Sequence, residues 1–222
     1  MASGKAAGWA HCEEFVDEQA VFLDPSVIAR ARERGAELGA AALHQGVGAA
    51  LRLLAATTRA TAAVEIGTGA GVGSLYILAG MGDAGVLTTI DREVENQRAA
   101  REAFCEAGIR SARVRTIAGA PLTVLGRLTE GAYDMVVFSA DDSDAEELLP
   151  QAVRLLRPGG VLVMDHALFH DRVADPAARD ETTTRIRGLL KTVRESPDLM
   201  SALLPSGDGL LAAVRTIPAH SR

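Results

Sequence analysis

From Ala62 onward the chain alternates short apolar runs with segments of helical spacing, and few folds accept that order. The runs AAVEIG (62–67), VLTTID (86–91), RVRTIA (113–118), YDMVVFSA (133–140) and VLVMDH (161–166) are strand-sized and mostly rich in β-branched residues. Between them, apolar residues recur at helical spacing: Leu75 and Leu78, then Val94 to Ala107 closed by Gly108, then a short stretch from Pro121. The last such segment carries Leu148, Leu149, Val153 and Leu156 and is stopped by Pro158-Gly159-Gly160 ahead of the fifth run. Strands that alternate with helices build βαβ units, hence a parallel sheet with right-handed crossovers and helices on both faces.

The flanking regions extend this core. Asp175-Pro176 predicts the start of a helix bearing Ile186, Leu189, Leu190 and Val193. LMSALLP (199–205) and LLAAVRTI (210–217), joined by the turn SGDG, predict an antiparallel hairpin that brings the strands to seven. On the N-terminal side, residues 1–24 predict a loose arm or accessory helix. Asp24-Pro25 then matches an N-cap followed by proline at the first helical position, with Val27, Ala31 and Leu38 behind it, and a second helix covers 48–56. We read residues 1–222 as one domain, a helical N-terminal extension over 1–60 and an α/β core over 61–217.

Bulk properties narrow the partners. The formal charge is -6 and no Lys/Arg block interleaves with aromatics, so no nucleic-acid partner is expected. No stretch reaches the ~20 apolar residues of a membrane span. Cys12 and Cys105 stand far apart with no metal-ligand spacing, which predicts free thiols in a reducing compartment. MASGKAAGWAHCEEF offers no apolar signal core, so the expected location is the cytoplasm.

The most informative chemistry lies after the first strand, in Glu65-Ile66-Gly67-Thr68-Gly69-Ala70-Gly71-Val72-Gly73-Ser74. Ligands of open α/β sheets bind beyond the carboxyl ends of the strands, and glycines there admit close approach and positive φ. This is not the dinucleotide pattern GxGxxG, whose third glycine would fall on Val72 or Ser74. It is an acidic residue followed by GxGxG. A pyrophosphate disfavours a carboxylate at a helix N-terminus, whereas a phosphate-free ligand carrying an ammonium group can use one. S-adenosylmethionine is such a ligand. Asp91 ends the second strand about twenty residues on, where a carboxylate can accept both ribose hydroxyls. Asp91 alone also suits NAD, and the bland alternative has both acids capping helices or sitting in solvent.

With these residues identified, the chain resembles the bacterial branch of the catechol/caffeoyl-CoA type of O-methyltransferase. The resemblance spans roughly residues 25–216 and rests on VEIGTGAGVGSL, VLTTIDRE, AGAPLTVL, YDMVVFSADDSD, LLRPGGVLVMDH and LLPSGDGLLAAVR. It implies a Rossmann-like class I methyltransferase sheet of order 3-2-1-4-5-7-6 with one antiparallel strand, usually in a homodimer. It also implies cofactor contacts: Leu43 through its backbone, Glu65, Gly67 and Thr68 at the methionine end, Asp91 at the ribose, Ala120 and Pro121 beside adenine. Gly69, Gly71, Gly73, Ser74 and Ser139 complete the candidate cofactor set. Gly73 stands where many relatives have serine, so that hydrogen bond is lost or moved to Ser74.

The resemblance breaks at the metal. Typical members bind a divalent cation through an Asp at the end of the fourth strand and an Asp-Asn pair after the fifth. Those positions hold Ser139 and Asp165-His166, and the lysine often assigned as base falls on Asp142. Mg²⁺ prefers carboxylate and carbonyl oxygens, so a Ser/Asp/His set serves it poorly. Asp165 and His166, with Asp141 swinging in as a substitute ligand, still suit Mn²⁺ or Zn²⁺. Alternatively His166 is a general base, its ordinary pKa of ~6.5 fitting it for the task, with Asp165 or Asp141 orienting the ring. The expected activity is methyl transfer from S-adenosylmethionine to a hydroxyl of a small acceptor, aromatic ones included. The rival readings are a non-catalytic S-adenosylmethionine-binding protein and an NAD(P)-dependent oxidoreductase.

Overall fold

A computed structural model describes residues 11–12, 14–16, 18–19, 24–40 and 43–216 of the chain. Helices α1 (Pro25–Glu37) and α2 (Gln45–Thr57) precede the sheet. Asp24 caps α1, its side chain accepting from the Ser26 amide at 2.9 Å, with Pro25 behind it as the sequence predicts. Then follow β1 (Ala62–Ile66), α3 (Val72–Gly80), β2 (Val86–Asp91), α4 (Val94–Glu106), β3 (Val114–Ala118) and the short α5 (Pro121–Leu125). The chain continues through β4 (Tyr133–Ser139), α6 (Ala145–Leu155), β5 (Leu156–Asp165), α7 (Glu181–Glu195), β6 (Leu199–Leu204) and β7 (Leu210–Arg215). The expected N-terminal arm lies largely outside the described residues; those described between 11 and 19 are helical.

The seven strands form one sheet of order β3-β2-β1-β4-β5-β7-β6. β1 to β5 pair in parallel, and β7 runs antiparallel to both β5 and β6. This is the seven-stranded order that the resemblance implies. Both faces are covered, which is why the strands read as nearly continuous apolar runs. Met135, Val137, Val161 and Val163 face the layer of α1 to α4. Val136, Phe138, Leu162 and Met164, one residue out of phase, face α5, α6 and α7.

Two boundaries differ from the sequence reading. Pro158-Gly159-Gly160 lies inside β5 and not ahead of it, at a bulge where pairing shifts from Tyr133–Leu156 to Met135–Val161. A Cβ at Gly160 would sit 3.0 Å from the Tyr133 carbonyl, so the bulge brings two backbones into a contact that only glycine admits. The last helix begins at Glu181 and not at Asp175-Pro176. The preceding segment is held as turns because the Arg187 guanidinium binds the carbonyls of Arg172, Val173, Asp175 and Ala178.

At the end of the sheet opposite the site, Asp134 joins three segments. Its carboxylate accepts from the Thr61 and Ala62 amides at 2.7 and 2.9 Å and from Arg157 Nε at 2.6 Å. Burial alone would raise its pKa, but these donors outweigh it and hold the carboxyl below its ordinary value. Removing it leaves the Arg157 Nε and two amides at the entry to β1 without their acceptor. We expect Asp134→Ala to cost roughly 3 kcal/mol of unfolding free energy in urea titrations. A loss below about 1 kcal/mol would show the knot to be dispensable.

Candidate active site

The parallel strands β1, β2, β4 and β5 all point their carboxyl ends at one cavity of about 310 Å³. It lies where the strand order turns back on itself, between β1 and β4, as ligand sites of open α/β sheets do. Of the predicted residues, Leu43, Glu65, Gly67, Thr68, Gly69, Gly73, Asp91, Ser139, Asp141, Asp165 and His166 line it. Gly71, Ser74, Ala120 and Pro121 do not line it.

The glycine loop shapes the wall. Gly67 has φ +92°, and a Cβ there would meet nothing within 4 Å, so its bare backbone faces open space. Gly71 plays a different part. It caps α3 in a left-handed conformation, and a Cβ would lie 3.1 Å from Ala100 and Phe104 of α4. It permits the close packing of α3 against α4. Asp91 ties the loop to β2: Oδ2 accepts from the Gly69 amide at 2.9 Å, and Oδ1 accepts from the Glu93 amide at 2.9 Å. Asn96 Nδ2 adds longer bonds of 3.2 and 3.3 Å to the same carboxylate.

Glu65 is 4% exposed, at the end of β1. One carboxylate oxygen accepts from the Ser74 hydroxyl and from Thr89 Oγ1, the latter at 2.6 Å. Thr89 shares a 2.7 Å bond with Thr68, which receives Gln97 Nε2 at 2.8 Å. Desolvation pushes the Glu65 pKa up to about 7 despite the Ser74 and Thr89 hydroxyls, with Asp165 and Asp91 adding repulsion. Gly73 leaves room for this carboxylate, since a Cβ there would lie 2.6 Å from Glu65 Oε1. The Ser74 hydroxyl serves Glu65 from outside the cavity.

At the other end stand the residues that follow β4 and β5. Ser139 Oγ donates to Asp141 Oδ1 at 2.6 Å and lies 3.2 Å from His166 Nδ1. The same Nδ1 is 3.3 Å from Asp165 Oδ2. The Asp165 hydrogen bond raises the His166 pKa to about 9 against partial burial, and the fields of Asp165, Asp141 and Asp208 add to the rise. A pKa raised this far favours the protonated imidazole at neutral pH. Its backbone, at φ +51°, opens a loop in which Phe169, His170 and Asp171 also have positive φ. That loop is pinned by the β6–β7 turn, where the Gly209 and Asp208 carbonyls accept from the Ala167 and Leu168 amides at 3.0 and 2.8 Å.

Over residues 18–216 the sequence matches the model of a family described as O-methyltransferase. The chain belongs to the O-methyltransferase family. A Mycobacterium tuberculosis relative whose name places it among the O-methyltransferases is 46% identical over 207 residues, 93% of this chain and 90% of the relative. A solved Corynebacterium glutamicum structure superposes with a TM-score of 0.87 at 36% identity, covering 96% of this chain and 99% of that one. The O-methyltransferase TomG of Streptomyces achromogenes, involved in tomaymycin synthesis and solved with S-adenosylmethionine, gives a TM-score of 0.83 at 25% identity. That match covers 93% of this chain and 96% of TomG.

As an O-methyltransferase, the protein has a cavity that fits S-adenosylmethionine. A carboxylate lies at either side of the glycine loop, and Gly67 offers backbone that no side chain screens. The same test fails for a divalent metal. Among the described residues no three His, Cys, Asp or Glu side chains are grouped to hold one. His166 Nδ1 and Asp165 are turned toward each other, and Asp141 is engaged by Ser139. Cys12 and Cys105 are both exposed and unpaired, and no described helix is long and apolar enough to cross a membrane.

Several participants escaped the sequence reading. Thr89 is two residues from Asp91 on the same strand and pairs in register with Glu65, so strand alternation could have found it. Gln97 and Asn96 sit in the first turns of α4, where helical spacing gives no sign that they turn inward. For the assigned charge of His166, a nuclear magnetic resonance titration should find one imidazole with a pKa near 9. A value near 6.5 would remove Asp165 as its partner.

Proposed function

We propose that the protein methylates a hydroxyl of a small acceptor, aromatic compounds included, without a bound metal. The single observation that carries this reading is the pairing of His166 with Asp165 beside Ser139 and Asp141 in the cavity wall. A cationic imidazole there supplies what a divalent ion supplies elsewhere, a positive charge facing an acceptor oxygen as its proton leaves.

Each residue then has a task. Glu65 receives the ammonium group of S-adenosylmethionine, with Gly67 and Thr68 along the methionine chain. Asp91 accepts the ribose hydroxyls, and Leu43, Gly69 and Gly73 complete the wall. Ala120 and Pro121, though they do not line the cavity, stand after β3 where the resemblance puts adenine. The cofactor supplies the electrophilic methyl group. His166 donates to the acceptor oxygen, Asp165 holds its ring and charge, and Asp141 takes the hydroxyl proton. Alignment of acceptor and donor accounts for much of the rate, since good positioning alone is worth several kcal/mol, ~7 or more.

The homodimer implied by the family resemblance is part of this reading. Support for it comes from the edge of the sheet, where Met200, Leu204 and Val214 are 73%, 43% and 42% exposed. Free, exposed cysteines are consistent with the cytoplasm.

Turnover of a catechol probe should be unchanged by EDTA, and His166→Gln should lower kcat by about 100-fold or more while S-adenosylhomocysteine still binds. Stimulation by Mg²⁺ or Mn²⁺ after EDTA treatment would overturn the metal-free reading. Wild-type cofactor binding with no transfer to any hydroxyl acceptor would instead favour a binding protein. Glu65 gives a second handle, because its carboxyl must ionise to pair with an ammonium. Affinity for S-adenosylhomocysteine should therefore rise up to about tenfold between pH 6 and pH 8, following the Glu65 pKa of about 7. Glu65→Gln should bind more weakly at pH 8 and show no such rise in calorimetric titrations.

A further inference from the structure

The cavity lining as a whole is rich in carboxylates. Glu65, Asp91, Asp141 and Asp165 all contribute carboxylates to its lining, and no lysine or arginine does. S-adenosylmethionine brings an ammonium that such a lining welcomes, and also a carboxylate that it repels. In the first turn of α3 no side chain is free to receive that carboxylate. Gly73 has none, and the Ser74 hydroxyl is committed to Glu65.

Arg32 is not among the residues that line the cavity, but it reaches one that is. It follows Ala31, which lines the cavity, on α1. Its neighbours Arg30 and Arg34 are both engaged with Glu106, at 3.0 and 2.9 Å, on the far side of the helix. Arg32 turns the other way: its Nη2 donates to the Leu43 carbonyl at 2.6 Å. Leu43 in turn lines the cavity opposite Gly73, its Cδ2 3.0 Å from where a Gly73 Cβ would be. The Arg32 Nε is buried and has no hydrogen-bond partner. A buried, unpaired guanidinium N–H costs free energy unless a ligand meets it, and guanidinium is the side chain best matched to a carboxylate.

We propose that Arg32 binds the methionine carboxylate of the cofactor, standing in for the hydroxyl absent at Gly73. This rests on the S-adenosylmethionine reading of the cavity and adds a residue to it. The Leu43 carbonyl holds the guanidinium ready, so that α1 is part of the cofactor site and not merely a cover for the sheet.

The test compares two probes by calorimetry: S-adenosylhomocysteine, and S-adenosyl-3-thiopropylamine, which keeps the ammonium but lacks the carboxylate. Wild-type protein should bind the first about 10- to 100-fold more tightly, the range of a charge-assisted hydrogen bond. Arg32→Met should lose that margin for S-adenosylhomocysteine while its affinity for the amine changes less than about twofold. Arg32→Lys, which keeps the charge, should recover part of the margin and serves if the methionine variant does not fold. Equal losses for both probes would overturn the proposal, because Arg32 would then act only by bracing Leu43. Unchanged binding of both would overturn it too, leaving the α3 amides as the carboxylate site. Failure of the wild type to bind either probe would refute the cofactor reading itself.

Discussion

The active site is organised around one costly act, the burial of the Glu65 carboxylate at the end of β1. A carboxylate withdrawn from water needs donors, and the structure supplies them from two directions, Ser74 on α3 and Thr89 on β2. These two hydroxyls fix where α3 starts relative to the sheet. The glycine loop must then bridge a short distance, and Asp91 pulls the loop down through the Gly69 amide. Gln97 and Thr68 extend the same network into α4 and the loop. What resembles a row of independent cofactor contacts is one connected polar cluster whose members hold each other in place.

The opposite end of the cavity uses the same physics with the sign reversed. Asp141 and Asp165 would repel each other and any developing oxyanion if left alone. His166, protonated beside Asp165, offsets them. It reaches that position only because its backbone has positive φ, a conformation unusual for a residue with a side chain. The cost is met by the turn between β6 and β7, whose carbonyls anchor the loop. The hairpin at the sheet edge thus supports the loop that carries His166, although it contributes no residue to the cavity lining.

How far the sequence could be read follows from the range of the forces involved. Strand identity and order were legible because they depend on local alternation and on the resemblance of the motifs. The bulge at Pro158-Gly159-Gly160 was not, because proline and glycine mark a break locally, and only pairing with Tyr133 turns that break into part of a strand. The late start of α7 has a similar origin, since Arg187 gathers the preceding carbonyls from a turn and a half inside the helix. Among site residues, the glycine loop and both acids could be picked out because their chemistry is tied to sequence position.

By itself, then, the sequence determined a parallel α/β sheet and an acidic glycine loop with an acid at the end of the next strand. Those follow from periodicity, from spacing and from which atoms each side chain carries. The tertiary structure alone decided that Ser74 faces Glu65, that Gly71 serves helix packing, that Arg32 leans on Leu43, and that His166 pairs with Asp165. The reason is common to all four: burial and the approach of groups distant in sequence set the energy of a charge or a hydrogen bond, and neither exists before the chain has folded.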